Sequence, residues 1–382
     1  MNRSSHKYPF IDLASANKLY AGSINEVIRS VADSGIYIGG EKLEWFERTL
    51  AGFIGTEYAV GVASGLDALR LTLRALKLLG RLNDNDEVIV AANTYIASVL
   101  AITDAGLKPV LVDPDPGTMN LSAEGIEAAL TPATKAIMPV HLYGRVCYSD
   151  EMGKLVNRNS LLVIEDCAQA IGAAYSDIRG DLKKKAGALG VAGCFSFYPT
   201  KNIGCMGDGG AVTTDDRELA ETIRALGNYG SLRRYENIYC GFNSRLDPLQ
   251  AAVLSVKLPY TDSENAKRRE KAQTYIDRIE RQDIILPAMP SKPEESVWHQ
   301  FVIRVPSEKR DKFRSLLLAE GVETDIHYPT PLFRQSCYAD FFAGQFPVTE
   351  TLSREIVTLP IANHLDLDDI SNIANIINRV SL

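Results

Sequence analysis

The chain has 382 residues, 46% of them hydrophobic and 23% charged, a composition typical of a globular protein of one or two domains with a large core. Its formal net charge of −7 provides no basic face for a polyanion, so we expect no nucleic-acid partner. The six cysteines lack CxxC spacing, so we expect reduced thiols and no metal site. No apolar run reaches the ~18 residues of a membrane span, and we expect a cytoplasmic protein.

The hydrophobic pattern predicts two amphipathic helices within residues 22–54, followed by short apolar runs that alternate with helical patterns over residues 57–225. Short, wholly apolar strands are typical of a sheet that helices cover on both faces. We therefore predict an α/β domain with a doubly wound, mixed or parallel sheet. The predicted strands are 58–62, 88–91, 109–112, 136–140 and 161–164, and the predicted helices are 65–79, 96–105, 121–130 and 151–157.

The pattern changes after Leu246. Residues 247–281 carry one long helical pattern that is broken near Pro259, and a proline-rich linker follows. Residues 297–382 then alternate between strand and helix. We therefore predict a large domain over residues 1–246, and a long connecting helix with a small α+β domain over residues 247–382.

Lys201 stands between the aromatic run of SFYPTKN (196–202) and the glycine cluster GDGG (207–210). A lysine that is buried beside other cations has a lowered pKa and attacks carbonyl carbons. Upstream, a predicted strand ends at Glu165 and Asp166, where ligands bind in open α/β sheets. Together they predict a pyridoxal-phosphate (PLP) enzyme, in which Lys201 forms a Schiff base and Asp166 pairs with the pyridine nitrogen. An aspartate that caps a following helix is the alternative.

Other candidates have simpler alternatives. Ser64 and Gly65 open a predicted helix whose N-terminus can hold a phosphate, although an ordinary serine N-cap explains the same pattern. Tyr95 follows a strand and can stack on a cofactor ring, but such aromatic residues are more often in the core. The glycines of 207–210 fit a simple hairpin turn as well as a loop around the cofactor.

In their order along the chain, these motifs resemble the DegT/DnrJ/StrS sugar aminotransferases, which are fold-type-I PLP enzymes with a large sheet domain and a smaller C-terminal domain. The resemblance covers nearly the whole chain. It is carried by SGLDAL (64–69), ANTYIAS (92–98), PVHLYG (139–144), EDCAQA (165–170), SFYPTKN (196–202), GDGGA (207–211), NYGS (228–231), GFNSRLDPLQAA (241–252) and HYPTPL (327–332).

The resemblance implies roles around the cofactor ring. Lys201 is expected to bind PLP covalently and to move the proton between the cofactor and the substrate carbon. Asp166 is expected at the pyridine nitrogen, Gln169 near the 3-oxygen, and Tyr95 on the ring face.

The resemblance also implies a phosphate site. The backbone N–H groups of Gly65 and Leu66, together with Ser196 and the Ser64 hydroxyl, are expected to hold the phosphate. An asparagine at the position of Asn243 reaches the phosphate of the neighbouring subunit in this family, which implies a homodimer with shared active sites.

His327 and Tyr328 fall in a motif that lines the substrate side in this family. The segment NYGS (228–231), with NSRLD (243–247) downstream, is similar to the enzymes that aminate C3 of dTDP-linked 3-keto-6-deoxyhexoses, with L-glutamate as donor and 2-oxoglutarate as its product. The alternative within the same chemistry is a C4 aminotransferase acting on a nucleotide-linked 4-keto sugar.

Other functions fit less well. A nicotinamide dehydrogenase would need GxGxxG after the first strand, and a serine hydrolase would need GxSxG; the sequence contains neither at the required place. The related dehydratases carry a histidine where Lys201 stands. A catalytically idle scaffold relative remains as an alternative from another class, although Lys201 and Asp166 are both present.

Overall fold

The computed structural model describes residues 6–177, 180, 183–233 and 235–381. Within them the strands are β1 (Tyr58–Val62), β2 (Glu87–Ala91), β3 (Lys108–Val112), β4 (Thr134–Met138), β5 (Leu162–Asp166), β6 (Ala174–Ser176), β7 (Lys183–Lys185), β8 (Ala192–Ser196), β9 (Gly210–Thr214), β10 (Ser231–Arg233), β11 (Glu236–Asn237), β12 (Phe301–Arg304) and β13 (Ile356–Leu359).

The α-helices of the same residues include the two predicted within residues 22–54, here α2 and α3, and those predicted between the strands. They are α1 (Leu13–Ala16), α2 (Ala21–Ser34), α3 (Glu41–Ile54), α4 (Gly65–Leu78), α5 (Ile96–Asp104), α6 (Ala123–Ala129), α7 (Asp150–Asn159), α8 (Arg217–Gly227), α9 (Pro248–Lys257), α10 (Thr261–Arg278), α11 (Arg310–Ala319), α12 (Pro347–Glu355) and α13 (Leu367–Arg379).

A seven-stranded sheet forms the centre of the molecule, with the strand order β1-β9-β8-β5-β4-β2-β3. Strand β9 runs antiparallel to both neighbours, and the pairings from β8 to β3 are parallel. The chain returns from β8 to β9 through one loop without a crossover helix, and this direct return makes the pair antiparallel. The predicted α/β class with a mixed, mainly parallel sheet is confirmed.

Helices cover both faces of this sheet, as its wholly apolar strands predict. Val88 and Val90 of β2 pack in one core with Leu69 of α4, whereas Ile89 between them packs with Leu155 of α7 in another. Both cores are fully buried around β2. Because helices cover both faces, a ligand can bind at the carboxyl ends of the parallel strands, which we call the open edge of the sheet.

A separate hydrophobic core joins α10, α11 and α13 to the antiparallel pair β12–β13. Tyr8 is 1% exposed and belongs to this core, since its backbone pairs with Val322. The predicted long helix is divided at Pro259 into α9 and α10, and Leu254 of α9 packs with Phe46 of α3. The division of the chain after residue 246 stays a prediction. Among the described residues, no helix has both the length and the apolar character needed to cross a bilayer.

Candidate active site

Lys201 lies in the loop that joins β8 to β9. The loop is closed by backbone hydrogen bonds from Phe197 N to Gly209 O (2.8 Å) and from Cys205 N to Phe197 O (2.7 Å). Burial lowers the pKa of the Lys201 amine to about 8, and the nearby Asp166 carboxylate opposes that shift. A large fraction of the side chain is thus a neutral amine near pH 8, the form that attacks carbonyl carbons.

Asp166 ends β5 and is 6% exposed. Its Oδ2 accepts a hydrogen bond from the Ser98 hydroxyl (2.8 Å), and its Oδ1 accepts one from Ala168 N (3.1 Å). Thr94 Oγ1 lies 2.9 Å from Ser98 Oγ, so the carboxylate terminates a small hydroxyl chain. A turn follows Asp166 instead of a helix, and the helix-cap interpretation is therefore wrong. The carboxylate is held in one orientation at the open edge of the sheet.

Three aromatic rings and one amide form the wall beside this carboxylate. Tyr95 is 53% exposed, so its interpretation as a core residue is wrong, and its ring centroid lies 5.1 Å from that of Tyr328. Gln169 Nε2 donates to the Tyr328 hydroxyl (3.2 Å), while Gln169 Oε1 accepts from Tyr143 N. The Tyr143 hydroxyl donates to the His327 carbonyl (2.6 Å). Tyr95, Gln169 and Tyr328 are thus brought together as predicted, whereas Tyr143 was not predicted.

Ser196, the last residue of β8, packs against the first turn of α4. A Cβ atom added at Gly65 would lie 2.5 Å from Ser196 Cβ, so only glycine allows this approach. Ser64 caps the helix, since its hydroxyl accepts from Asp67 N (3.1 Å), and the N-cap interpretation is confirmed. The N–H groups of Gly65 and Leu66 have no partner within the helix and carry its partial positive charge. This cradle can also hold a phosphate.

Two neutral imidazoles lie near Lys201. Burial and the lysine charge lower the pKa of His327 to about 4, against the opposing effect of Asp325, and His327 Nδ1 lies 2.9 Å from Thr358 Oγ1. Burial and the same lysine lower the pKa of His299 well below its ordinary value. His299 had not been recognised in the sequence. Both imidazole rings are neutral at pH 7, so neither places a positive charge beside the Lys201 amine.

Asn243 lies on an exposed surface segment just before α9. Its Oδ1 accepts from Arg245 Nη2 (2.7 Å), and its backbone pairs with Asn228. In the described part of the chain, these contacts tie Asn243 to the surface instead of to the loop of Lys201.

Glu165, beside Asp166, is the centre of a fully buried hydrogen-bond network. His141 Nε2 donates to its carboxylate (2.9 Å), and His141 Nδ1 accepts from Cys147 N (2.9 Å). Cys167 Sγ lies near both groups in an arrangement that resembles a metal site, but both ring nitrogens of His141 are already used. The carboxylate also accepts three backbone N–H groups at 2.8 Å, from Gly187, Leu189 and Gly190.

Replacing Glu165 by alanine is expected to destabilise the fold by about 3–5 kcal/mol, because it leaves a buried imidazole N–H and three backbone N–H groups unpaired. Urea unfolding monitored by circular dichroism measures the loss. The matched control is Glu127→Ala, which removes an ion pair to Arg158 whose side chains are 60% and 64% exposed and should cost at most about 1 kcal/mol. Equal stability losses would contradict the assignment of the network.

A lysine of low pKa, a fixed carboxylate at a strand end and an N–H cradle for phosphate, on this sheet, define the class as PLP-dependent enzymes of fold type I. The chain belongs to the DegT/DnrJ/EryC1/StrS aminotransferase family, whose model matches residues 20–378.

Individual relatives match over almost the whole chain. The dTDP-3-amino-3,6-dideoxy-alpha-D-galactopyranose transaminase of Aneurinibacillus thermoaerophilus is 45% identical over 97% of this chain and 99% of its own. The dTDP-3-amino-3,4,6-trideoxy-alpha-D-glucose transaminase of Streptomyces venezuelae is 42% identical over 94% and 92%. The crystal structure of S. venezuelae DesV in complex with a ketimine intermediate is 41% identical, covers 99% of this chain and 100% of its own, and has a TM-score of 0.91.

The residues present fit PLP. The Lys201 amine can bind its aldehyde, the buried Asp166 carboxylate can face a protonated ring nitrogen, and the contact between Gly65 and Ser196 leaves the first N–H groups of α4 for its phosphate.

The pKa of Lys201 leads to a pH dependence. The rate at which the apoprotein binds PLP covalently should rise from pH 7 to pH 8 and level off above pH 9, because the amine is neutral above its pKa of about 8. Stopped-flow absorbance of the bound cofactor follows this rate. A rate that continues to rise up to pH 10.5, where an ordinary lysine titrates, would contradict the effect of burial.

Proposed function

We propose that the protein transfers the amino group of L-glutamate to the C3 keto group of a dTDP-linked 3-keto-6-deoxyhexose, in deoxyamino-sugar biosynthesis. The observation that carries this proposal is the identity of 45% and 42% to two transaminases of 3-amino dTDP-sugars, each over more than nine-tenths of the chain. The reaction leaves 2-oxoglutarate. The six cysteines are free thiols, as expected for a protein of the reducing cytoplasm.

Lys201 is the proposed catalytic residue. PLP, when bound, acts as the electron sink for the substrate carbon. The neutral Lys201 amine takes the proton from that carbon as a base and returns it as an acid, which one group can do when its pKa is near the working pH. The Asp166 carboxylate, which accepts from the Ser98 hydroxyl, would place a negative charge opposite the protonated pyridine nitrogen. When PLP is bound, Tyr95 would cover its ring face and Gln169 would orient its 3-oxygen.

We assign the phosphate to the cradle of Ser64, Gly65, Leu66 and Ser196. In this assignment the backbone N–H groups of the α4 N-terminus are donors, and the Ser64 hydroxyl, which accepts from Asp67 N, still has its O–H to donate.

His327 and Tyr328 are assigned to the sugar side of the site. Tyr328 lies between the ring of Tyr95 and the amide of Gln169, and Phe10 stacks on the His327 ring with 5.9 Å between centroids. His327 is neutral and the Tyr328 hydroxyl is protonated at pH 7, so these two side chains carry no charge, as suits a neutral hexose.

The amination position is tested by incubating the purified holoenzyme and L-glutamate with the 3-keto and the 4-keto dTDP-sugar in separate reactions. Mass spectrometry and NMR of the product should show a 3-amino sugar from the 3-keto compound. Product from the 4-keto compound alone would overturn the C3 assignment and support the C4 alternative.

We also propose a homodimer, in which Asn243 reaches the phosphate of the second copy. Exposed apolar side chains support it: Ile38 (54%) precedes α3, Trp45 (57%) lies on it, and Leu249 (37%) lies on α9, which packs against α2 and α3 and begins just after Asn243. Such an apolar patch marks an interface.

Trp45→Glu is expected to shift the protein from dimer to monomer in sedimentation velocity, because it buries a charge in the interface. The matched control is Leu78→Glu at the end of α4, where the leucine is 50% exposed. A dimer that persists in Trp45→Glu, or monomers from both variants, would contradict the assigned patch.

A further inference from the structure

A cavity of about 60 Å³ borders Lys201. Lys257 of α9 and Arg268 of α10 line it, together with Asn363, His364 and six residues of the N-terminal segment between Ile11 and Tyr20. None of these groups has a role in the function proposed above. The cavity has room for one carboxylate or one phosphate group but not for a nucleotide.

The two cations of this cavity are buried and are paired with backbone carbonyls. Lys257 is 6% exposed and donates to Gly204 O (2.6 Å); Arg268 is 5% exposed and donates to the carbonyls of Trp298 (3.3 Å) and His299 (3.4 Å). Among the described residues, no carboxylate oxygen lies within 4 Å of either cation. The nearby Glu264 carboxylate acts on Arg268 but already pairs with Lys267 (2.9 Å), so an anion in the cavity would offset the remaining cost of burying the two cations.

The remaining polar groups of the cavity have unused hydrogen-bonding capacity. Asn363 Oδ1 and His364 Nδ1 are buried and have no hydrogen-bond partner among the residues that the structure describes, whereas His364 Nε2 lies 3.0 Å from Pro9 O. Asn363 presents two N–H donors when its amide is rotated by half a turn, and His364 gains a donor at Nδ1 when it is protonated. One carboxylate, Asp12, also lines the cavity, and its Oδ1 accepts from Ser15 N (3.0 Å) as the N-cap of α1.

We infer that this cavity binds an oxyanion of a reacting molecule, through Lys257 and Arg268, next to the amine of Lys201. The inference rests on the proposed function, which supplies two sources of this chemistry: a carboxylate of the amino donor and the diphosphate of the nucleotide sugar. A guanidinium group beside an ammonium group suits both, because each binds oxyanions with charge-assisted hydrogen bonds.

The test measures binding to the holoenzyme after borohydride reduction of its lysine–cofactor bond, so that no turnover occurs. Isothermal titration calorimetry with glutarate and with dTDP gives the Kd of a dicarboxylate and of a diphosphate separately. The test variant is Lys257→Gln, and Arg268→Gln is measured as well if that variant folds. The matched control is Lys271→Gln: Lys271 is 4% exposed and also donates to a carbonyl, Ala362 O (3.1 Å), but it lines a neighbouring cleft.

Lys257→Gln should raise the Kd of one probe at least tenfold and leave the other within about twofold, with Lys271→Gln like the wild type. Loss of glutarate binding identifies the donor carboxylate, and loss of dTDP binding identifies the diphosphate. Unchanged Kd values for both probes, or an equal loss in Lys271→Gln, would overturn the inference. These outcomes are independent of the proposed function, which fails if the wild-type enzyme makes no 3-amino sugar.

Discussion

Lys201→Ala is expected to abolish transamination and to remove the visible absorption of the bound cofactor, while the protein stays folded. The side chain is the amine that binds PLP, and it also moves the proton at the substrate carbon. Positioned proton transfer alone contributes about 10²–10⁴-fold to a rate, and the loss of the covalent link adds to it, so turnover should fall at least about 10³-fold. Single-turnover assays with L-glutamate, followed by absorbance, measure both effects.

The matched control for this variant is Lys183→Ala. Lys183 lies in β7, where its side chain is 61% exposed and its Nζ lies 3.3 Å from Glu294, so its loss should leave activity and spectrum unchanged. Lys201 differs from Lys183 in being buried near the Asp166 carboxylate, and burial lowers its pKa to about 8. Transamination that persists in Lys201→Ala would overturn its catalytic assignment.

The fold was predictable where one segment determines its own structure. Helix α3 and the strand β2 follow from local apolar patterns: α3 lies within the predicted range 22–54, and β2 begins one residue before its predicted start. The direction of β9 could not be predicted in this way, because it depends on whether the chain returns directly or through a helix. The glycines of 207–210 were the available signal. Gly210 starts β9, and a Cβ atom there would lie 2.3 Å from Ser64 O.

The site was predictable to the same extent. Asp166 could be identified from the sequence because it is a carboxylate at the end of an apolar strand, where ligands bind in such sheets. Ser98, which fixes it, could not, because the two residues are 68 positions apart and meet only through the fold. His299 and Arg268 were missed for the same reason, since burial beside Lys201 is a property of tertiary packing. Tyr95 was exposed instead of buried because it precedes α5 at the open edge of the sheet.

Asp166→Asn is expected to lower kcat about 10²–10⁴-fold. The amide has nearly the same shape: its oxygen can accept from Ala168 N while its NH2 group donates to the Ser98 hydroxyl, so the loop should keep its place, but the negative charge opposite the pyridine nitrogen is lost. Removing one partner of a buried ion pair costs about 3–5 kcal/mol. This cost corresponds to the stated fall in kcat when all of it is added to the activation free energy. Single-turnover rates with L-glutamate, at saturating PLP, measure it.

Ser98→Ala separates the charge of Asp166 from its orientation. This variant keeps the carboxylate and removes one hydrogen bond of 2.8 Å, worth about 1.5–3 kcal/mol when the acceptor is charged, so kcat should fall by about 10–10². The ring nitrogen gives a readout that a purely structural role would not change: in Asp166→Asn its pKa in the bound cofactor, measured by ¹⁵N NMR, should fall, whereas in Ser98→Ala it should stay near the wild-type value. A wild-type ring-nitrogen pKa in Asp166→Asn would place the residue away from the pyridine nitrogen, because a carboxylate in contact with a protonated ring must raise its pKa.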